Sequence, residues 1–257
     1  MCGISGYISD KNFLDNDNIK KTLDLMKRRG PDSQDFFQKN YPSKEVALLH
    51  SRLNIIDLNS QSNQPFYDKD FILIFNGEIY NYIELRNDLK KKNYTFNTNS
   101  DTEVLLKAFQ EYGEKCVDHF IGMWSFAIWD LKNKKLFLSR DPFGEKPLYY
   151  TKGNNSFFFG SEIKFIKSLC KKKFEINKDK VYENIFFGYK SLNKDHNTFF
   201  KDIYTIESGT NLTIDLDLNI FKNKYWEPKA HIIENMNAYE AAEGTNYYLT
   251  NSLKLRM

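Results

Sequence analysis

The chain has 257 residues, 41% hydrophobic and 28% charged, a length and composition that can bury a sizeable core and exclude a disordered chain. Its 37 basic and 34 acidic side chains give a formal net charge of +3 spread along the whole length, which leaves no nucleic-acid footprint. Three widely spaced cysteines, Cys2, Cys116 and Cys170, give neither a disulfide framework nor a metal-ligand pattern, and the absence of a secretory leader or a run of roughly 18 apolar residues points to a cytoplasmic chain with no membrane partner.

The opening Met1-Cys2-Gly3 has a small second residue, which favours removal of the initiator. Cys2 would then carry a thiol and an α-amine together, a compact nucleophile and base, since an α-amine titrates near roughly 7.7–8.0. A strand-like run over 6–8 follows, then helical periodicity over 19–28. Arg28-Arg29-Gly30-Pro31-Asp32 closes that helix, with glycine permitting a left-handed cap and proline forbidding continuation. A strand over 46–49 leads into His50-Ser51-Arg52-Leu53-Asn54-Ile55-Ile56-Asp57, which puts an arginine, whose planar fork suits a carboxylate, at a strand end.

The apolar strand over 71–75 runs into Asn76-Gly77-Glu78-Ile79-Tyr80-Asn81. Asn-Gly is a tight-turn signal, and it is equally a candidate oxyanion hole, with a side-chain amide beside a backbone N–H that glycine lets a ligand approach. A helix over 82–91 precedes Ser100-Asp101-Thr102-Glu103, a capping box for the helix over 102–112 that leaves Asp101 free to accept hydrogen bonds from an ammonium group. Strands over 124–129 and 135–139 lead to the turn-rich Arg140-Asp141-Pro142-Phe143-Gly144-Glu145-Lys146-Pro147-Leu148-Tyr149-Tyr150, followed by strands over 148–151 and 156–160 and a helix over 162–169. After Tyr225-Trp226-Glu227-Pro228 the pattern turns polar, and 238–255 reads as one amphipathic helix, so a boundary falls near 229. Strands that mostly follow one another directly imply an α+β fold with antiparallel sheets.

In order and spacing these motifs resemble those of the class II, N-terminal-nucleophile glutamine amidotransferases, and their wording is similar to that of asparagine synthetases. The resemblance runs from Met1 to about Pro228. It implies the N-terminal-nucleophile hydrolase fold, two antiparallel sheets sandwiched between helical layers, with a glutaminase domain at 1–228. Residues 229–257 would be a linker and the first helix of a synthetase domain. It makes Cys2 the nucleophile and Asn76 with Gly77 the oxyanion hole. Glutamine would be held by Arg52 at its α-carboxylate and by the Ile55 and Ile56 backbone with Glu78 and Asp101 at its α-amino end, with Leu53 and Asn54 also among the glutamine-binding residues. The glutaminase step needs no cofactor. ATP and Mg²⁺ would serve a synthetase step whose Ser-Gly-Gly-hydrophobic-Asp-Ser loop does not occur in the sequence. The implied partners are glutamine, a synthetase domain supplied beyond Met257 or in trans, and a second copy in a homodimer. Another ammonia acceptor, such as a surface sugar, and a catalytically idle module are the alternatives. The final helix, with Tyr239, Ala242, Tyr247, Leu249, Leu253 and Leu255, is expected to be exposed without its partner domain.

Overall fold

Side chains along β1 (Gly3–Asp10) alternate between two apolar environments: Ile4 and Ile8 enter one cluster, Tyr7 another. In β3 (Lys44–Arg52), Val46 and Leu48 part from Ala47 and Leu49 in the same way, and in β5 (Phe71–Ile79) Ile72 and Ile74 part from Leu73, Phe75 and Ile79. Strands with a two-residue period and both faces apolar must be covered on both sides. The computed structural model, which describes residues 1–11, 16–188, 195–230, 233 and 235–256, achieves this with four layers.

One sheet is formed by β1, β2 (Ser33–Asn40), β3, β8 (Tyr149–Lys152), β9 (Ser156–Gly160) and β10 (Tyr204–Thr205), in the order β10-β8-β9-β1-β3-β2. The other contains β4 (Phe66–Asp68), β5, β6 (Gly122–Asp130), β7 (Lys135–Arg140), β11 (Thr210–Asp215) and β12 (Ile220–Lys224), in the order β12-β11-β7-β6-β5-β4. Every pairing is antiparallel. The cluster holding Ile4, Leu48, Ile74, Trp129 and Phe159 fills the space between the sheets. The helices α1 (Asn16–Met26) and α4 (Ile163–Cys170) cover the outer face of the first sheet through Ile19, Met26, Phe165 and Leu169. The outer face of the second is covered by α2 (Tyr82–Lys91) and α3 (Asp101–Tyr112), through Leu85, Leu89, Val104 and Leu105. Each such fully buried aliphatic side chain contributes roughly 1.5–3 kcal/mol.

The strands expected from the apolar runs all form, several lengthened by their ladders: β1 pairs with β3 from Gly3↔Ser51 to Asp10↔Lys44. Edge strands β2, β4, β10 and β12 carry little apolar patterning because only one side of each is paired. The helix α5 (Lys178–Phe187) likewise buries only Lys180 and has no apolar stripe to announce it.

Two local expectations are corrected. Gly30 does not adopt a left-handed cap; positive φ among the described glycines occurs at Gly113, Gly144, Gly188 and Gly209. Its requirement is space, since a Cβ there would lie 2.4 Å from the Ser51 carbonyl and 2.5 Å from the Arg52 nitrogen. The capping box is also rearranged. The Ser100 hydroxyl accepts from the Thr102 N–H at 3.1 Å, whereas Glu103 turns back to the Asn97 and Thr98 amides and does not reach Ser100.

Beyond β12 the chain closes on Gly209, whose carbonyl accepts from the amides of Tyr225 (2.9 Å) and Trp226 (3.2 Å). The final helix, α6 (Ala238–Arg256), buries no side chain: Tyr239, Tyr247, Leu249, Leu253 and Leu255 are exposed as expected, and the Arg256 guanidinium lies 4.9 Å from the Tyr80 ring. Among the described residues no helix is long and apolar enough to cross a membrane.

The tight approach at Gly30 generates a prediction. Gly30→Ala should destabilise the fold by about 1–3 kcal/mol through overpacking against β3, lowering Tm by several degrees. Thermal unfolding of the two proteins side by side checks it, and an unchanged Tm would show that the Ser51–Arg52 backbone yields freely.

Candidate active site

The two-residue period that builds the inter-sheet core also assembles the site. Even-numbered residues of β1, β3 and β5 point between the sheets, as Ile4 and Ile8, Val46 and Leu48, and Ile72 and Ile74 do. At one end of that layer the same parity delivers Cys2, Arg52, Asn76 and Glu78. These border a cleft of about 330 Å³, within the roughly 300–1,000 Å³ common for small-molecule sites. Its lining also includes Leu53, Ile55, Ile56, Gly77 and Asp101, so of the residues singled out by sequence only Asn54 lies outside it. The backbone N–H of Asn54 instead donates to Asp32 at 2.8 Å, tying the segment after β3 to the Gly30-Pro31-Asp32 turn.

Cys2 is half-buried, and its Sγ sits 3.4 Å from the Leu53 N–H that donates to it and 3.6 Å from the Leu53 carbonyl. Burial pushes the thiol up from its ordinary value, while the Leu53 backbone, the N-terminal charge and Arg52 pull it down. Arg29 Nε donates to the Cys2 carbonyl at 2.8 Å and is itself held by Glu162 at 3.1 Å, so the helix-closing motif fixes the Cys2 backbone. Burial lowers the Met1 amine, as do the charges of Arg29 and Lys146. The other two thiols, Cys116 and Cys170, are buried in the core and pushed up by desolvation, which makes them unreactive.

Asn76-Gly77 is not a turn. Both residues lie within β5, Asn76 opposite Ser125 and Gly77 opposite Trp124, and the chain continues as strand to Ile79. Asn76 is buried, and its Nδ2 lies a long 3.4 Å from the Ser125 hydroxyl. Gly77 is demanded by packing, because a Cβ would fall 2.2 Å from the Met123 carbonyl. The pair therefore presents a side-chain amide and a backbone edge together at the cleft.

Arg52 is buried with its fork partly committed: Nη1 donates to the Asn59 carbonyl (3.0 Å) and Asn63 Oδ1 (2.7 Å), and Nη2 to the Asp57 carbonyl. Asp57 in turn accepts from Asn59 N, Ser62 Oγ and Asn99 N at 2.8–3.0 Å, which folds the 53–63 segment into a wall of the cleft. On the opposite side Asp101 accepts from the Ile79 N–H at 3.1 Å. Desolvation, aided by the charge of Glu78, raises its carboxyl to about 6. A partly buried cation thus faces two acidic groups across one cleft, an arrangement that complements an amino-acid zwitterion.

Several cleft residues escaped the sequence reading. Lys146 reaches the cleft because Asp141, fully buried, accepts from the amides of Phe143, Glu145 and Lys146 at 2.9–3.1 Å, while Arg140 Nε binds the Lys146 carbonyl at 2.8 Å. Its Nζ approaches Met1 Sδ at 3.6 Å. The turn-rich motif around Arg140 is therefore a structural knot that also supplies a cation, and its density of Gly, Pro and charge was the available signal. Gln64, Asp57, Thr102 and Met123 also line the cleft. Asp57 and Thr102 lie in motifs read for other residues, and nothing local marks Gln64 or Met123, because their place depends on packing against β5. Among the described residues no group of three or more His, Cys, Asp or Glu side chains is placed to hold a metal ion.

Comparison with known proteins agrees with this geometry. The family model described as "Glutamine amidotransferase domain" matches residues 1–226. The Bacillus subtilis asparagine synthetase [glutamine-hydrolyzing] 3 is 36% identical across 88% of this chain and 36% of its own length. Asparagine synthetase [glutamine-hydrolyzing] 2 of the same organism is 34% identical across 98% of this chain and 35% of its own. The chain spans about half or less of the length of the curated relatives it matches. Among solved structures, the B. subtilis glutamine phosphoribosylpyrophosphate amidotransferase superposes with a TM-score of 0.62 at 16% identity, covering 88% of this chain and 50% of that one, a likeness of fold. The chain belongs to the family of glutamine amidotransferase domains, built on the N-terminal-nucleophile hydrolase fold.

Proposed function

We propose that this chain hydrolyses glutamine to glutamate and ammonia with Cys2 as nucleophile, the ammonia being destined for ATP-dependent amidation of aspartate by a synthetase domain. The observation that carries the first half is the convergence of Cys2, Asn76, Gly77, Arg52, Glu78 and Asp101, drawn from three separate elements and the N-terminus, on one cleft. With Met1 removed, the Cys2 amine takes the thiol proton and the thiolate attacks the glutamine side-chain carbonyl. The oxyanion forms between the Asn76 amide and the Gly77 N–H. Collapse returns the proton to the departing nitrogen, which leaves as ammonia, and forms a thioester. Water, deprotonated by the same amine, releases glutamate and restores the thiol. Arg52 holds the α-carboxylate, and Glu78 with Asp101 the ammonium. Leu53, Ile55 and Ile56 supply the adjoining wall.

The second half rests on relatives named asparagine synthetase. In this reading 1–228 is the glutaminase and 229–257 a linker and the first helix of the synthetase domain, whose partner surface would cover the exposed apolar side chains of α6. Among the described residues no group of three or more His, Cys, Asp or Glu side chains is placed to hold Mg²⁺, and no step above passes through a Mg²⁺–ATP site.

Three outcomes test the reading. The mature protein should lack Met1 by intact mass, and Cys2→Ala should abolish glutamine hydrolysis with Tm unchanged; full activity with Met1 demonstrably present would refute the mechanism. Asn76→Ala should lower kcat about 100-fold with a smaller effect on KM, since an oxyanion donor acts on the transition state. Arg52→Lys, which keeps charge but loses the fork, should act mainly on KM, and an interchange of these two signatures in steady-state kinetics would reverse the assigned roles.

Asp101 gives a pH dependence. Its folded-state value of about 6 lies above the ordinary 3.8, so the folded protein holds this proton more tightly and stability falls as pH rises from about 4 to 6. The buried charge then costs about 3 kcal/mol at higher pH. Asp101→Asn should therefore raise Tm at pH 8 but not at pH 4, while increasing the glutamine KM at pH 8 at least tenfold. Native-like KM in that variant would remove Asp101 from substrate binding.

A further inference from the structure

Residues of β5 alternate in the edge they serve. The Leu131 N–H donates to the Asp70 carbonyl at 2.8 Å and the Tyr80 N–H to the Ile121 carbonyl at 2.7 Å, so even-numbered residues pair with β6 and odd-numbered ones face the opposite edge. On that edge β4 pairs only as far as Phe66↔Leu73. An open edge is normally a row of unpaired amides and carbonyls.

Side chains take the place of the missing strand. Gln64 Oε1 accepts from the Phe75 N–H at 2.6 Å, and its Nε2 donates to Thr102 Oγ1 at 3.3 Å, so the amide is clamped at both ends. His50 Nε2 lies 3.1 Å from the Phe75 carbonyl and donates to it. Complete burial lowers the imidazole to about 3, so the ring is neutral and its one proton sits on Nε2. Four residues on, Asp101 takes the Ile79 N–H. Between these fixed peptides lies Gly77, whose outward N–H has no acceptor among the described residues. His50 comes from β3 in the other sheet, two residues before Arg52 and three before Leu53, which touches the Cys2 sulfur. One hydrogen bond across the sheets thus ties the strand that seats the nucleophile to the strand that carries the oxyanion donor.

We propose that Gln64 and His50 are positioning residues that replace the missing edge strand at Phe75 and so hold the Gly77 N–H free and aimed into the cleft. This rests on the glutaminase reading above. His50 is fully buried and outside the cleft lining, and Gln64, which borders the cleft, has its amide oxygen and nitrogen engaged by Phe75 and Thr102. Both act through the Phe75 peptide on a donor that works only when it is set before charge develops.

The test compares the native chain with Gln64→Leu, His50→Leu and His50→Gln in glutamine hydrolysis, with Tm measured for each. The two leucine variants should lose at least about tenfold in kcat with glutamine KM within about threefold. His50→Gln, which keeps a donor at similar reach, should recover most of that loss. The ¹⁵N–¹H resonance of Gly77 should shift in Gln64→Leu and lie near its native position in His50→Gln. A native chain without glutaminase activity would sink the underlying function. An active native chain whose Gln64→Leu variant keeps native kcat, or loses activity through KM alone, would overturn the positioning role. Should His50→Leu fail to fold, Gln64→Leu and the Gly77 resonance decide the matter.

Discussion

The site depends on one constraint: alternate residues of three strands in two facing sheets must share a single inter-sheet layer. Ile4, Leu48 and Ile74 obey it in the dry part of the layer, and Cys2, Arg52 and Asn76 obey it two or four residues along the same strands, where the layer opens to solvent. A one-residue slip of β1 against β3 would carry Cys2 to the face under α1 and α4, and the same slip would pull Ile4 and Ile8 out of the inter-sheet cluster and drive Tyr7 into it. Register is therefore enforced by several buried aliphatic side chains for each polar one, and the active geometry inherits the stability of the core.

Around that layer the loops behave as fixed walls. The Asp141 carboxylate, with no exposure to solvent, gathers the amides of the loop after β7, and Asp57 does the same for the segment after β3. A carboxylate that accepts several backbone N–H groups fixes the loop that carries them, so these loops bring Lys146 and Ile55–Ile56 to the cleft with little conformational freedom left to lose on binding. Gly30 contributes in the opposite way, by having no side chain, since that lets the turn after α1 lie directly on the Ser51–Arg52 backbone and sets the Arg29 guanidinium against the Cys2 carbonyl.

Electrostatics in the cleft are divided. Arg52 and Lys146 supply positive charge, Glu78 and Asp101 negative, and burial raises the Asp101 carboxyl to about 6. Under the proposed function, an ammonium group beside Asp101 would relieve that burial cost, and the same residue would then bear on both binding and stability.

Much of this was legible in the sequence. The apolar runs and turn signals determined the strand-rich α+β character and the four well-patterned helices that cover the sheets, while Cys2, Arg52, Asn76, Gly77, Glu78 and Asp101 stood out as a set through the resemblance that the order and spacing of their motifs carry, each motif being weak alone. Tertiary structure alone decided the rest. Asn76-Gly77 reads locally as a turn, but pairing with Ser125 and Trp124 keeps it in a strand, since ladder bonds and core burial on both faces outweigh a two-residue preference. Glycine at position 30 reads as a helix cap, yet its role is set by a backbone more than twenty residues away. Edge strands and α5 left no pattern because one-sided burial imposes none, and Gln64, His50 and Lys146 could not be found from neighbours in sequence because their partners at Phe75, Thr102 and Met1 meet them only once the sheets have closed.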